Sequence, residues 1–162
     1  LKAIPLVREQ VPSARFVYAG EVNVAYERFY ERCRPLWEEQ NDHLVTLGLI
    51  ADPQQMADYY AMCDVFVLPS RTDCLASVQV EAMLCGTPVV ATNIPGAREV
   101  VRVTGMGRLV EPRNERALAQ GLVEVLQNPE DYRKPHHHIA RVFDTERALD
   151  DYEALFERLV GS

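Results

Sequence analysis

Asp64 to Pro95 reads DVFVLPSRTDCLASVQVEAMLCGTPVVATNIP, and the succession of residue types along it decides the fold. Val65 to Leu68 is a short apolar run, branched and aromatic, of the kind a strand buried on both faces of a parallel sheet requires. Pro69 stops it. Ser70, Arg71, Thr72 and Asp73 are loop formers, and Ser77 is placed to cap a helix running through Val80, Ala82, Met83 and Leu84 to Cys85, with Gly86 as its stop. Pro88 to Thr92 starts the next strand. In sheets built from such strand, loop, helix, strand units, ligands bind beyond the carboxyl ends of the strands, where helix N-termini point free N–H groups outward. Pro69 to Ser77 is that end.

Within this loop and helix, Asp73 and Glu81 are spaced so that both can face one pocket. Two carboxylates there suit sugar hydroxyls, while the backbone amides of Leu75, Ala76 and Ser77 suit a phosphate. The combination describes a nucleotide-sugar. The competing reading is purely structural, because a loop Asp and a first-turn Glu can serve only to cap a helix and complement its dipole.

Outward from this unit the pattern repeats. Upstream, Leu1 to Glu9 predicts a helix, Ala14 to Ala19 a strand ended by Gly20, and Glu21 to Gln40 a helix kinked or split at Pro35. Trp37 on that helix reads as a packing residue rather than a sugar platform. His43 to Leu47 is a further strand, and Pro53 opens a helix whose stripe of Met56, Tyr59, Tyr60 and Met62 belongs to the core. Downstream follow a short helix over Gly96 to Val101, a strand over Arg108 to Val110, and a helix from Glu115 to Gln127 capped by Asn114. Thr145 to Val160 closes the chain as an amphipathic helix. The fold class is therefore α/β, a Rossmann-like three-layer parallel sheet with helices on both faces.

Composition narrows the function. The chain has 162 residues and 48% hydrophobic content, enough for one domain with a sizeable core. A net charge of −7 argues against a nucleic-acid partner, since the 17 Lys and Arg do not visibly form the basic face it needs. Cys33, Cys63, Cys74 and Cys85 show no C-x-x-C spacing and read as reduced thiols of a cytoplasmic protein, with Cys74 lining the site beside Asp73. His136, His137 and His138 are consecutive and point to different sides of a helix, so they read as a solvated run rather than a metal site. No apolar run of about 18 residues predicts a membrane span, so membrane contact is expected only through absent sequence.

Taken together, Pro69-Ser70, Asp73, Leu75, Ala76, Glu81-Ala82-Met83, Gly86-Thr87-Pro88-Val89-Val90-Ala91, Glu99-Val100-Val101 and Gly107-Arg108-Leu109-Val110 resemble the C-terminal, donor-binding domain of GT-B-fold retaining glycosyltransferases. The resemblance extends over nearly the whole chain. It implies that Glu81 binds the ribose hydroxyls, that Asp73 is the catalytic-site acid that positions the donor sugar, and that the amides of Leu75, Ala76 and Ser77 hold the diphosphate. It also implies that the turn at Gly48 holds the base through backbone contacts, and that Glu99 lines the donor pocket. The donor would be a UDP-, GDP- or ADP-sugar, with no metal and no other cofactor. Two departures bear on the donor sugar: Asp73 stands where the family usually has Glu, and Leu75-Ala76 where it has Phe-Gly.

The family's first strand, ending in Gly-Arg and followed by a Lys, with both cations contacting the diphosphate, has no counterpart here, and Lys2 lies in the helix after that loop. Five parallel strands are thus expected where the fold runs in the order 3-2-1-4-5-6, with the first, central strand missing. The expectation is a piece of a longer enzyme whose acceptor saccharide or lipid is bound by an N-terminal domain, this piece alone being inactive. A non-catalytic nucleotide-sugar binding module is the alternative, and a sugar-nucleotide epimerase on the same fold ranks below it.

Overall fold

Val89, Val90, Ala91 and Thr92 are all buried, and the strand they form is the axis about which the helices pack. The computed structural model describes residues 1–21 and 29–161. Its helices are α1 (Ala3–Gln10), α2 (Phe29–Glu39), α3 (Pro53–Ala61), α4 (Ser77–Leu84), α5 (Pro95–Thr104), α6 (Glu115–Gln127), α7 (Pro129–Tyr132), α8 (His136–Val142) and α9 (Thr145–Val160). Its strands are β1 (Phe16–Ala19), β2 (Leu44–Gly48), β3 (Phe66–Leu68), β4 (Val89–Thr92) and β5 (Gly107–Val110).

Alternation along β4 divides the core into two layers, because successive side chains of a strand point to opposite faces. Val89 and Ala91 face a cluster with Tyr60 of α3, Met83 of α4, Val100 of α5 and Ile139 of α8. Val90 joins Val110 against Val7 of α1 and Leu122 and Val125 of α6. Each fully buried Val contributes roughly 1.5–3 kcal/mol relative to leaving it exposed. Gly121 lets α6 lie close on the sheet: a Cβ there would stand 2.6 Å from Cγ1 of Val110 and 3.3 Å from Cγ1 of Val90. The architecture is the predicted α/β one, parallel sheet between helical layers.

All the predicted strands are present and every pairing is parallel. They form two sheets, one of order β3-β4-β5 and one of β1-β2. The break falls between β1 and β3, the place that the order 3-2-1-4-5-6 assigns to the first strand. Along β1, Gly20 N–H donates to the Gly48 carbonyl at 2.7 Å. Since N–H and C=O groups alternate sides along a strand, Val17 turns its carbonyl to the opposite edge. There the hydroxyl of Tyr59 donates to it at 3.3 Å.

Three local expectations need correction. The sequence predicts β3 buried on both faces, but it is half-buried: among the described residues it is an edge strand, paired with β4 alone, so its open side is not covered by a neighbouring strand. The sequence places Met62 in the core stripe of α3, yet it is exposed beyond the helix end at Ala61. His138 is not solvated: it is half-buried, with Nε2 3.1 Å from the Thr104 carbonyl oxygen. The helix expected over Glu21 to Gln40 is described from Phe29 onward and includes Pro35, while residues 22–28 lie outside the described residues. Trp37 packs edge-on against Tyr18 and Tyr30, as a packing residue should.

Candidate functional site

The loop after β3 is held at two places, its start and its middle. The hydroxyl of Thr92, at the end of β4, donates to the Ser70 carbonyl at 2.6 Å. Further along, the loop backbone lies on the start of α5. A Cβ at Gly96 would stand 2.2 Å from the Asp73 carbonyl oxygen and 2.4 Å from that of Cys74. Only a residue without a side chain allows that approach.

Asp73 is half-buried, and no partner of its carboxylate is found among the described residues. Leu75 is 58% exposed, Ala76 is buried and Ser77 is exposed. Ser77 does not cap α4 as predicted. It is the first helical residue, and the cap position falls to Ala76, whose methyl can accept nothing. The Gln79 N–H bonds back to the Ala76 carbonyl at 3.1 Å, while the N–H groups of Leu75, Ala76 and Ser77 meet no acceptor among the described residues. An uncapped N-terminus with unspent amides favours an anion.

Glu81, one turn into α4, is exposed, but one carboxylate oxygen is occupied: the hydroxyl of Tyr60 donates to Oε2 at 3.0 Å. Burial, then this hydrogen bond, pushes the Tyr60 phenol well above its ordinary range, so it stays protonated and a donor. Glu99 stands three residues beyond Gly96 on α5, on the same face of the helix. Its Oε1 lies 3.4 Å from Arg98 Nε and 3.5 Å from Arg102. Gly48 ends β2 with φ +71, in the other sheet, and no hydrogen bond among the described residues joins it to the Asp73 loop. The structure therefore gathers the 69–77 loop, the start of α4 and the start of α5 at one end of the three-stranded sheet. Among the described residues no group of three or more His, Cys, Asp or Glu side chains could hold a metal ion.

Sequence reasoning missed three participants. Gly96, following Pro95 at a helix start, was a legible signal of close approach, and Thr92 lay at a strand end where a hydroxyl can tie a loop. Tyr60 gave no signal, since a buried Tyr on an apolar stripe looks the same whether or not its hydroxyl meets a carboxylate.

The family model described as Glycosyl transferases group 1 matches residues 1–128. The chain is 30% identical over 136 residues to the GDP-mannose-dependent monoacylated alpha-(1-6)-phosphatidylinositol monomannoside mannosyltransferase of Corynebacterium glutamicum, covering 80% of this chain and 34% of that protein. Its backbone superposes on sucrose-phosphate synthase from Thermosynechococcus elongatus with a TM-score of 0.79 at 26% identity, over 99% of this chain and 42% of that one. The fold is shared with HepE of Anabaena, solved in complex with UDP and glucose, at a TM-score of 0.72 and 22% identity over 99% of this chain and 45% of that chain. The chain spans well under half the length of the curated relatives it matches. With the loop, the helix start and the parallel sheet arranged as above, the chain belongs to the glycosyl transferases group 1 family and has its GT-B, Rossmann-like fold.

Proposed function

We propose that this chain is the nucleotide-sugar-binding half of a retaining glycosyltransferase, acting in the cytoplasm as part of a longer protein. The observation that carries this reading is the unspent row of amides at Leu75, Ala76 and Ser77, between Asp73 on one side and Glu81 on the other. The amides would hold the diphosphate, Glu81 the ribose hydroxyls and Asp73 the hydroxyls of the donor sugar. Glu99 would line the sugar pocket, and the Gly48 turn would reach the base through its backbone. In the transfer step the bond from the anomeric carbon to the diphosphate oxygen breaks and its electron pair leaves with the diphosphate. The acceptor oxygen bonds to the same face of that carbon and passes its proton to the departing diphosphate oxygen. Fixed N–H dipoles aimed at the departing diphosphate stabilise the charge that develops there, without reorganisation. The HepE complex with UDP and glucose supports a nucleotide-sugar donor, and the mannosyltransferase's name supports GDP-sugars as candidates beside UDP-sugars.

The test is thermal unfolding of the chain with UDP, GDP, ADP and their sugar conjugates. A ligand at a hundred times its Kd adds about 2.7 kcal/mol to stability. One nucleotide should raise the melting temperature saturably in the wild type and fail to do so in Glu81→Ala. Stabilisation that persists unchanged in Glu81→Ala would remove Glu81 from the site.

A further inference from the structure

Tyr60 is 1% exposed, and its ring is held on two sides: edge-on to Phe66 at 5.5 Å between centroids, and tilted against Tyr59 at 5.5 Å. Its backbone is tied as well. The Thr87 hydroxyl, just past the end of α4, donates to the Tyr60 carbonyl at 2.7 Å, so the last turn of α3 and the turn after α4 keep a fixed spacing. The phenol oxygen therefore occupies one place. Among the described residues its one side-chain hydrogen-bond partner is Glu81, whose Oε2 accepts from it at 3.0 Å.

Glu81 is otherwise exposed, and a free Glu side chain samples several rotamers that a ligand must freeze out on binding. A buried donor with no rotational freedom of its own selects one of those rotamers in advance. It also fills only one of the two lone pairs on Oε2 and leaves Oε1 open. We propose that Tyr60 is a positioning residue: its buried hydroxyl orients the Glu81 carboxylate so that the remaining lone pairs face the vicinal hydroxyls of a nucleotide ribose. This rests on the proposed function, since it takes Glu81 as the ribose ligand. Tyr60 never touches the nucleotide and acts only through Glu81.

The test is isothermal titration of UDP and GDP, and of their dideoxyribose forms, into the wild-type chain, Tyr60→Phe, Glu81→Ala and the double variant. Tyr60→Phe keeps the ring and its packing. It should weaken the ribonucleotide about 2- to 13-fold, the range of one net hydrogen bond, and leave the dideoxy form unchanged, which also certifies the fold. In the Glu81→Ala background, Tyr60→Phe should have no further effect. Equal weakening of both forms, or a loss that adds to that of Glu81→Ala, would mean that Tyr60 acts through packing alone and would overturn the proposal. So would unchanged ribonucleotide affinity. If Tyr60→Phe does not fold, Thr87→Val takes its place: it leaves both side chains present while releasing α3 from the turn. A loss confined to the ribonucleotide supports the proposal there, and an equal loss overturns it. A wild-type chain that binds ribo and dideoxy forms equally would instead refute Glu81 as ribose ligand, a separate failure of the proposed function.

Discussion

The α-carbon of Gly96 lies so close beneath the Asp73 carbonyl that an added methyl would stand 2.2 Å from its oxygen. The obstacle is backbone on both sides, so no side-chain rotation relieves it. Gly96→Ala must push the 73–74 peptide away from α5, and overpacking of this kind costs roughly 1–3 kcal/mol. The melting temperature should fall accordingly, and affinity for a stabilising nucleotide should fall further than that of a variant of equal stability mutated far from the loop. Equal losses in both would show that the position of the Asp73 loop does not matter to binding.

Gln79 is fully buried, and neither its Oε1 nor its Nε2 has a partner among the described residues. A buried amide left unpaired costs about 1–3 kcal/mol. Gln79→Met conserves length and removes the polar atoms, so urea unfolding should show a chain more stable by about 1 kcal/mol or more. A destabilised Gln79→Met would mean that the amide is hydrogen-bonded in solution.

Tyr59 and Tyr60 both have their phenol pKa raised above 10.0 in the folded chain, mainly by burial. Each therefore holds its proton more tightly folded than unfolded. The stability this represents is intact below pH 10 or so and drains as the unfolded phenols ionise above it, at up to about 1.4 kcal/mol per pH unit for each group. Chemical unfolding followed from about pH 9 to pH 11 should give a steeper decline for wild type than for Tyr60→Phe. Cys63, also raised by burial, contributes equally to both chains and cancels in the comparison. Parallel curves would mean that Tyr60 is not buried protonated.

Among the cysteines, Cys74 is exposed, whereas Cys63 and Cys85 are half-buried with thiols pushed up by burial. Because the thiolate is the reacting form, alkylation near neutral pH should mark Cys74 first. A nucleotide whose diphosphate sits on the amides next to it should slow that labelling without affecting Cys33. Unchanged labelling of Cys74 at saturating nucleotide would place the diphosphate elsewhere.

Where the sequence carried a self-contained local signal, the structure agrees closely. Asn114 caps α6 by accepting from Ala117 N–H at 2.9 Å, and α6 runs over the predicted Glu115–Gln127. Likewise α9 spans Thr145–Val160 as its apolar spacing indicates. Disagreements arise where neighbours distant in the chain decide. Ser77 has the chemistry of a cap, but the loop enters α4 one residue earlier and makes Ala76 the cap. The burial of β3 depends on which strands flank it, which periodicity does not report. Both carboxylates of the candidate site were legible as residue types in context. The hydroxyl that holds one of them comes from α3, 21 residues earlier in the chain, and only folding reveals it.

Across the β1 to β3 seam, Val17 and Ala19 pack into the apolar core and the Tyr59 hydroxyl ties β1 to α3, with no ladder between the two sheets among the described residues. Apolar contacts carry no register, so this seam yields gradually, whereas a ladder either holds or breaks. The β1-β2 pair is thus expected to open as a separate unit, below the free energy of global unfolding. Its amides should exchange with solvent deuterium through that partial opening, while those of β4, buried throughout and laddered on both sides, should wait for the whole chain to unfold.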